Sequence, residues 1–252
     1  MTEIKDISET ISVIYEDGEL LIINKPAGIT VNNSDTTDGE VTVQDWSEKR
    51  LGIVSTKTID DSDFYKRSGI VHRLDKETSG ILLIAKDERS FVHLQNQFKE
   101  RTVKKTYYAL SHGKIAPMRG EIRVPVGRLP WNRRQFGVVA GGREALTEYQ
   151  VTGYYVTADK RREQVSFVEL KPLTGRTHQI RVHLQYLGHP IFSDFLYAGR
   201  KTQREDRKLL TRVFLHAGRI SFLHPRTQML VSFEAPLPKE LQSVMEHLTR
   251  LQ

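Results

Sequence analysis

Three short stretches of the sequence hold residue types able to do nucleophilic, acid–base or anion-binding work. His72-Arg73-Leu74-Asp75 sets a carboxylate just before a Thr78-Ser79-Gly80 turn and the apolar run Ile81-Leu82-Leu83-Ile84-Ala85. A rigid element then holds the carboxylate while a loop exposes it, a setting that suits a carboxylate nucleophile. Taken alone, the tetrapeptide fits more readily a turn cap whose arginine pairs with a surface acid. Leu173-Thr174-Gly175-Arg176-Thr177-His178-Gln179-Ile180-Arg181-Val182-His183 gathers two arginines and two histidines at a helix start. Exposed amides and the positive dipole end attract anions there, and arginine pairs with phosphate or carboxylate through two parallel bonds. A solvated basic helix face would have the same spacing. In Lys104-Lys105-Thr106-Tyr107-Tyr108-Ala109-Leu110, strand alternation sends the two tyrosines to opposite faces. One can pack inward while the other offers a stacking ring and a phenol, and Tyr108 reads as sheet filling.

A metal centre is not expected. His178 and His183 are five apart, about 140° around a helix, so they diverge. His72 and Asp75 could meet at i, i+3, but Arg73, Arg176 and Arg181 would crowd a cation with like charge.

The charge distribution is uneven. The formal charge is +7, and from Arg101 to Arg134 nine Lys or Arg stand against Glu121 alone, with Trp131 between Arg128 and the pair Arg133 and Arg134. A second basic group comprises Arg200, Lys201, Arg204, Arg207, Lys208 and Arg212. Cations for phosphates beside a ring for unstacked bases are the composition of an RNA-contacting surface. Each cluster alone would also suit a solvated loop.

These residues need a scaffold, and its elements can be read along the chain. Val13-Ile14-Tyr15 and Glu19 to Asn24 flank an Asp17-Gly18 turn, which predicts a hairpin. Residues 35–63 turn acidic, eight Asp or Glu against three Lys or Arg, and read as a solvated excursion with one short helix near Trp46. Ile81 to Ala85 is unbroken, like a strand covered on both faces. Asp87 is a candidate N-cap for a helix with Phe91, Leu94 and Phe98 on one face. Strands are expected at Thr106 to Leu110, Glu121 to Val124, Phe136 to Ala140, Ala145 to Val156, Gln164 to Lys171 and Met229 to Phe233, with Gly141-Gly142 as a turn. Helices are expected from Thr177 to Leu187, stopped by Gly188, and from Pro238 through Leu241, Val244 and Leu248. Runs of strands broken by a few helices predict an α+β fold with a largely antiparallel sheet. Without repeats or a Pro-, Gly- or Ser-rich linker, one domain over 1–252 is the simpler expectation.

Composition bounds the rest. Apolar residues make up 38% and charged residues 27%, too much hydrophobic material for a disordered chain. There is no cysteine, which excludes disulfides, thiolate nucleophiles and cysteine-ligated zinc. The N-terminus is polar and acidic, unlike a signal peptide, and Leu20-Leu21-Ile22-Ile23 is far too short to span a bilayer. A soluble cytoplasmic protein without membrane partners is expected.

Together these segments resemble the RluA-type pseudouridine synthases. ELLIINKPAGITV is similar to that family's opening hairpin, GIVHRLDKETSGILLIAKD to its signature around the catalytic aspartate, KKTYYALSHG to its tyrosine segment and LTGRTHQIRVHLQYLGHPIFSD to its arginine segment. FLHAGRISFLHP and EAPLPKEL continue the match, so that it runs in order from about Val13 to Leu241. The resemblance implies the pseudouridine synthase catalytic fold, a mixed, largely antiparallel sheet with flanking helices and a central active-site cleft, in the form without an N-terminal S4-like RNA-binding domain. It implies Asp75 as nucleophile, Tyr107 as the residue that packs on the target uracil and serves as a base, and Arg181 as the partner of the aspartate. Arg73 resembles the residue that helps displace the flipped nucleotide. Arg176, His72, Lys104 and Lys105 are the remaining candidate RNA contacts.

The implied reaction needs neither cofactor nor metal, and its partner is ribosomal or transfer RNA, met by a monomer. Three rivals are a non-catalytic RNA-binding or ribosome-assembly factor, a metal-dependent nuclease, and a glycoside hydrolase with paired carboxylates. The first has no need of a poised carboxylate. The second lacks converging ligands, and the third finds only Asp75 and Glu77, two apart and divergent.

Overall fold

The computed structural model describes residues 7, 10–33, 39–53, 62–158 and 162–251, with the side chains of residues 133 and 134 excepted. The chain divides into two compact units, 1–103 with 219–235, and 104–218 with 236–252.

The first unit opens with the expected hairpin, β1 (Ser12–Glu16) and β2 (Leu20–Lys25). Its turn is closed by Asp17, whose Oδ1 accepts the N–H groups of Glu19 at 2.9 Å and Leu20 at 2.7 Å. The helix near Trp46 is α1 (Val43–Leu51), started by a Thr42–Asp45 capping box and ended by left-handed Gly52. A single turn, α2 (Asp63–Lys66), follows. All of β3 (Ser79–Ala85) is buried, as its unbroken apolar sequence required, and it runs antiparallel to β2 from Leu20↔Ala85 to Lys25↔Gly80. Gly69 lies so close to this strand that a Cβ would sit 2.1 Å from the Ala85 carbonyl oxygen, and its φ of +76° suits glycine alone. Asp87 caps α3 (Glu88–Lys99) by accepting the Ser90 N–H, and Phe91 and Leu94 turn into a core with Leu20, Ile22, Leu83 and Phe222.

The second unit begins with β4 (Lys104–His112), β5 (Arg119–Arg123), β6 (Val126–Leu129), β7 (Asn132–Val138), β8 (Leu146–Thr157) and β9 (Gln164–Pro172). β4, β9 and β8 form an antiparallel ladder, with β5 on the far side of β8. β6 and β7 form a separate hairpin with Trp131, 79% exposed, at its turn. Then come α4 (Gln179–Tyr186), α5 (Arg200–Asp206) and β10 (Leu215–Leu223). β10 ends in the first unit, where it pairs antiparallel with β11 (Leu230–Glu234). α6 (Lys239–Glu246) and β12 (Leu248–Arg250) belong to the second unit again, and β12 pairs with β8. The core here gathers Leu110, Val168, Leu170, Leu184, Phe192, Phe214, Leu241 and Val244. The result is the expected α+β arrangement with a mostly antiparallel sheet.

Three boundaries differ from expectation for physical reasons. The helix expected from Thr177 starts at Gln179, because His178 takes a left-handed φ of 56° that no helix interior accepts. The terminal helix stops at Glu246, and Leu248 is a strand residue. The basic cluster that begins at Arg200 folds as α5, a helix with no apolar periodicity to announce it.

Candidate active site

In the first unit, His72, Arg73 and Asp75 share the loop that enters β3. Asp75 is half-buried and Arg73 exposed. The loop is fixed at both ends. His72 Nε2 accepts the Leu83 N–H at 3.1 Å, and the imidazole lies against the Phe98 ring, centroids 5.0 Å apart. His72 therefore anchors the loop to β3 and α3, a structural role beside the RNA contact expected of it. The Asp75 carbonyl accepts the Thr78 N–H at 3.0 Å, closing a turn directly after the carboxylate. Fully buried Lys25 sends its ammonium to the carbonyls of Pro26 at 2.8 Å, Ile29 at 2.9 Å and Lys76 at 3.2 Å, and the Lys76 carbonyl also accepts the Gly28 N–H. Three acceptors offset the desolvation of that cation, and the Lys76 bond fixes the residue next to Asp75.

In the second unit, Arg181 is 3% exposed and bound through two parallel bonds to fully buried Asp194: Nε to Oδ2 at 2.7 Å and Nη2 to Oδ1 at 2.8 Å. Asp194 Oδ1 also accepts the N–H groups of Leu196 and Tyr197. The guanidinium lies over the Tyr197 ring at 5.0 Å and the Phe195 ring at 5.8 Å. The Tyr197 hydroxyl and His178 Nδ1 share a hydrogen bond of 2.9 Å within the same cluster. Gln179 staples the preceding loop: its Oε1 accepts from Thr174 Oγ1 and the Arg176 N–H, and its Nε2 donates to the Leu146 carbonyl and Thr147 Oγ1. Arg176 Nε donates to the Glu144 carbonyl at 2.9 Å. His183, expected on a basic face, is instead fully buried, and burial lowers its pKa to about 4 against a bond to the Val124 carbonyl, so it is neutral.

Tyr107 and Tyr108 lie on opposite faces of β4. Tyr107 is half-buried at the margin of the second core, level with Leu170 of β9, while Tyr108 stacks on Phe167 at 6.0 Å. Lys104 is exposed. Lys105 is half-buried, and burial pulls its ammonium down to about 8, which leaves it charged at neutral pH.

Sequence reasoning missed the residues that hold Arg181 in place. Beyond Asp194, His112 bridges two carboxylates, Nε2 to Asp206 at 2.8 Å and Nδ1 to Glu163 at 2.9 Å. Burial opposes its charge, but the two carboxylates outweigh it and raise the pKa to about 9. Asp206 also accepts the N–H of Ser193, the residue before Asp194. Nothing in the local pattern singles these residues out, because their partners are 13 to 94 positions away.

Two other features carry less chemistry. Among the described residues, Asp17, Glu19 and His224 stand close enough to share a cation. Their atoms are engaged: Asp17 accepts from two backbone N–H groups, from His224 Nε2 and from the Tyr15 hydroxyl, and Glu19 pairs with Arg226. A groove of about 390 Å³ over β5, β8 and β9 is lined by charges of both signs, including Arg119, Glu148, Glu169 and Lys171, and by none of the site residues above.

The family model described as RNA pseudouridylate synthase matches residues 19–186, more than half of the chain. The ribosomal large subunit pseudouridine synthase D of Neisseria meningitidis is 37% identical over 245 residues, covering 94% of this chain and 61% of its own length. An RNA pseudouridine synthase of Bacillus subtilis is 36% identical, covering 95% of this chain and 73% of its own. The chain thus spans about three fifths of the Neisseria enzyme. Among solved structures, human RNA pseudouridylate synthase domain containing 1 aligns with a TM-score of 0.74 at 30% identity, covering 96% of this chain and 89% of its own.

Proposed function

This chain belongs to the RNA pseudouridylate synthase family, and from that premise we propose that it isomerises uridine to pseudouridine in RNA. The observation that carries the reading is the Asp75 loop, in which a carboxylate is held through its backbone from both sides while the side chain is left half-exposed. A target uridine leaves its stack, and the unstacking cost is offset by contacts in the site. The ionised Asp75 carboxylate attacks C1′ of the ribose or C6 of the uracil. The N1–C1′ bond breaks, the uracil turns, and a C5–C1′ bond forms. The bond made by Asp75 breaks, at C1′ as C5 displaces it or at C6 once the new bond is made, and the carboxylate is returned. The proton on C5 then leaves, with Tyr107 as its acceptor, and N1 regains a proton. Arg181 serves the aspartate by favouring its charged form and aiming it. Arg73 helps displace the nucleotide, and Arg176, His72, Lys104 and Lys105 contact the RNA.

The two units together form one catalytic domain that acts as a cytoplasmic monomer, without metal or cofactor. No described helix is long and apolar enough to cross a membrane. Ribosomal RNA is the first candidate substrate, by likeness to the Neisseria enzyme, and transfer RNA the second.

The test is tritium release from RNA labelled at uridine C5, with ribosomal and transfer RNA from cells lacking the enzyme compared in the presence of a chelator. Wild type should release tritium from one pool, and Asp75→Asn should fall at least ~10³-fold. Tight binding without release from either pool would instead identify a non-catalytic RNA binder.

A further inference from the structure

Phe195 stands out beside Arg181. It follows buried Asp194, yet the residue itself is 42% exposed. The guanidinium of Arg207, just past the end of α5, lies over this ring at 5.3 Å. Along α5, Arg200, Arg204 and Arg207 fall at i, i+4 and i+7, one stripe that leads to Phe195. Arg200, Lys201 and Arg204 are exposed and make no ion pair among the described residues. Of the two acids on this segment, Asp206 is fully buried against His112, which leaves Glu205 alone to oppose five cations from Arg200 to Lys208. The mounting is rigid: Asp206 fixes the end of α5 to β4 and to the Ser193 N–H, two residues before Phe195.

We propose that Phe195 and the basic stripe of α5 bind the RNA strand beside the target uridine, the ring stacking on a neighbouring base and Arg200 and Arg204 meeting phosphates. The proposal deepens the synthase reading and rests on it for the identity of the strand. An exposed ring beside a stripe of exposed cations fits a single strand better than an acidic protein surface, since rings take bases and cations take the backbone.

The test uses the full chain and a fluorescein-labelled oligouridylate of about 12 nucleotides, within the span such surfaces occupy. Affinity is measured by anisotropy across a potassium chloride series. Arg200→Ala/Arg204→Ala should reduce the slope of log affinity against log salt by about 1.4, two single-strand phosphate contacts. Phe195→Leu should weaken binding about tenfold with the slope unchanged, and Phe195→Trp should restore it. In tritium release, Phe195→Leu should raise KM about tenfold, in step with the lost affinity, and Phe195→Trp should bring it back. Unchanged affinity and slope in both variants would overturn the proposal. So would a fall in kcat at unchanged affinity, which would make Phe195 a positioning residue for Arg181. A wild type that releases no tritium would overturn the synthase reading, while the oligouridylate series would still decide this one.

Discussion

In the first unit the Asp75 loop is tied down through its backbone: Lys25 grips three carbonyls, His72 takes an amide of β3, and a turn closes behind the carboxylate. In the second, Arg181 is gripped by its own head group, by two bonds to Asp194 and two aromatic rings. Each choice suits the task. A mount made through the main chain sets where the Asp75 carboxylate stands, which is what the attack proposed for it requires. A cation that only has to point in one direction loses nothing by being locked, and a buried arginine needs a carboxylate in any case.

Breaking the second arrangement should cost most. Asp194→Ala strands a buried guanidinium, and a loss of about 3–5 kcal/mol is expected in urea unfolding, with activity gone. The double change Asp194→Leu/Arg181→Met should regain much of that stability and none of the activity. A stable Asp194→Ala protein with full activity would refute the lock. In the first unit, Lys25→Met leaves three carbonyls short of a donor, for a loss of about 2–3 kcal/mol. Its tritium release should fall more than its oligouridylate binding, since only the mount of Asp75 is loosened. His72→Leu orphans one amide and should cost about 1 kcal/mol, read as faster hydrogen exchange at Leu83.

The mildest perturbation separates the units without any substitution. His112 has a raised pKa, so its contribution is whole below about 6.5 and is lost as pH rises through about 9. His183 is buried neutral, so its contribution is whole above about 6.5 and is lost as pH falls toward about 4. In Asp17 burial is outweighed by bonds from His224 and two backbone amides, and the pKa falls to about 2, so the first unit keeps that contribution until pH drops below about 3.8. The opening free energy of β8 and β9, read from hydrogen exchange corrected for the intrinsic rate at each pH, should therefore fall on both sides of about pH 6.5, while that of β1 and β2 holds at pH 5. Equal sensitivity in both units at pH 5 would contradict this division.

The sequence was most legible where a single local rule decided the outcome. The β1–β2 hairpin follows from Asp17-Gly18, β3 from an unbroken apolar run, and α3 from its aspartate cap. The role proposed for the Asp75 carboxylate came only from the resemblance, but the turn behind it was legible for the same reason, since Thr78-Ser79-Gly80 before an unbroken apolar run is a local signal. β10 was not, since Leu215–Leu223 mixes buried His216 with Gly218 and exposed Arg219, and Gly218 is set by the Tyr108 ring packed on it, 2.3 Å from where a Cβ would lie. α5 has no apolar stripe at all and is held by one buried carboxylate. The grip on Arg181 was hidden for the same reason, because it depends on pairings that form only when distant segments meet.

The division of the chain into 1–103 with 219–235 and 104–218 with 236–252 bears on how the protein is made. Synthesis proceeds from the N-terminus, and domains ordinarily fold as they emerge. Here the first unit lacks Ile220, Phe222 and Ala235 of its core until the whole intervening segment has been translated, and the second waits longer for Leu241 and Val244. A ribosome partway along this message carries two unfinished cores, both exposing apolar strands. Nascent chains stalled before residue 219 should be protease-sensitive throughout and should engage chaperones, with protection arriving late and nearly at once.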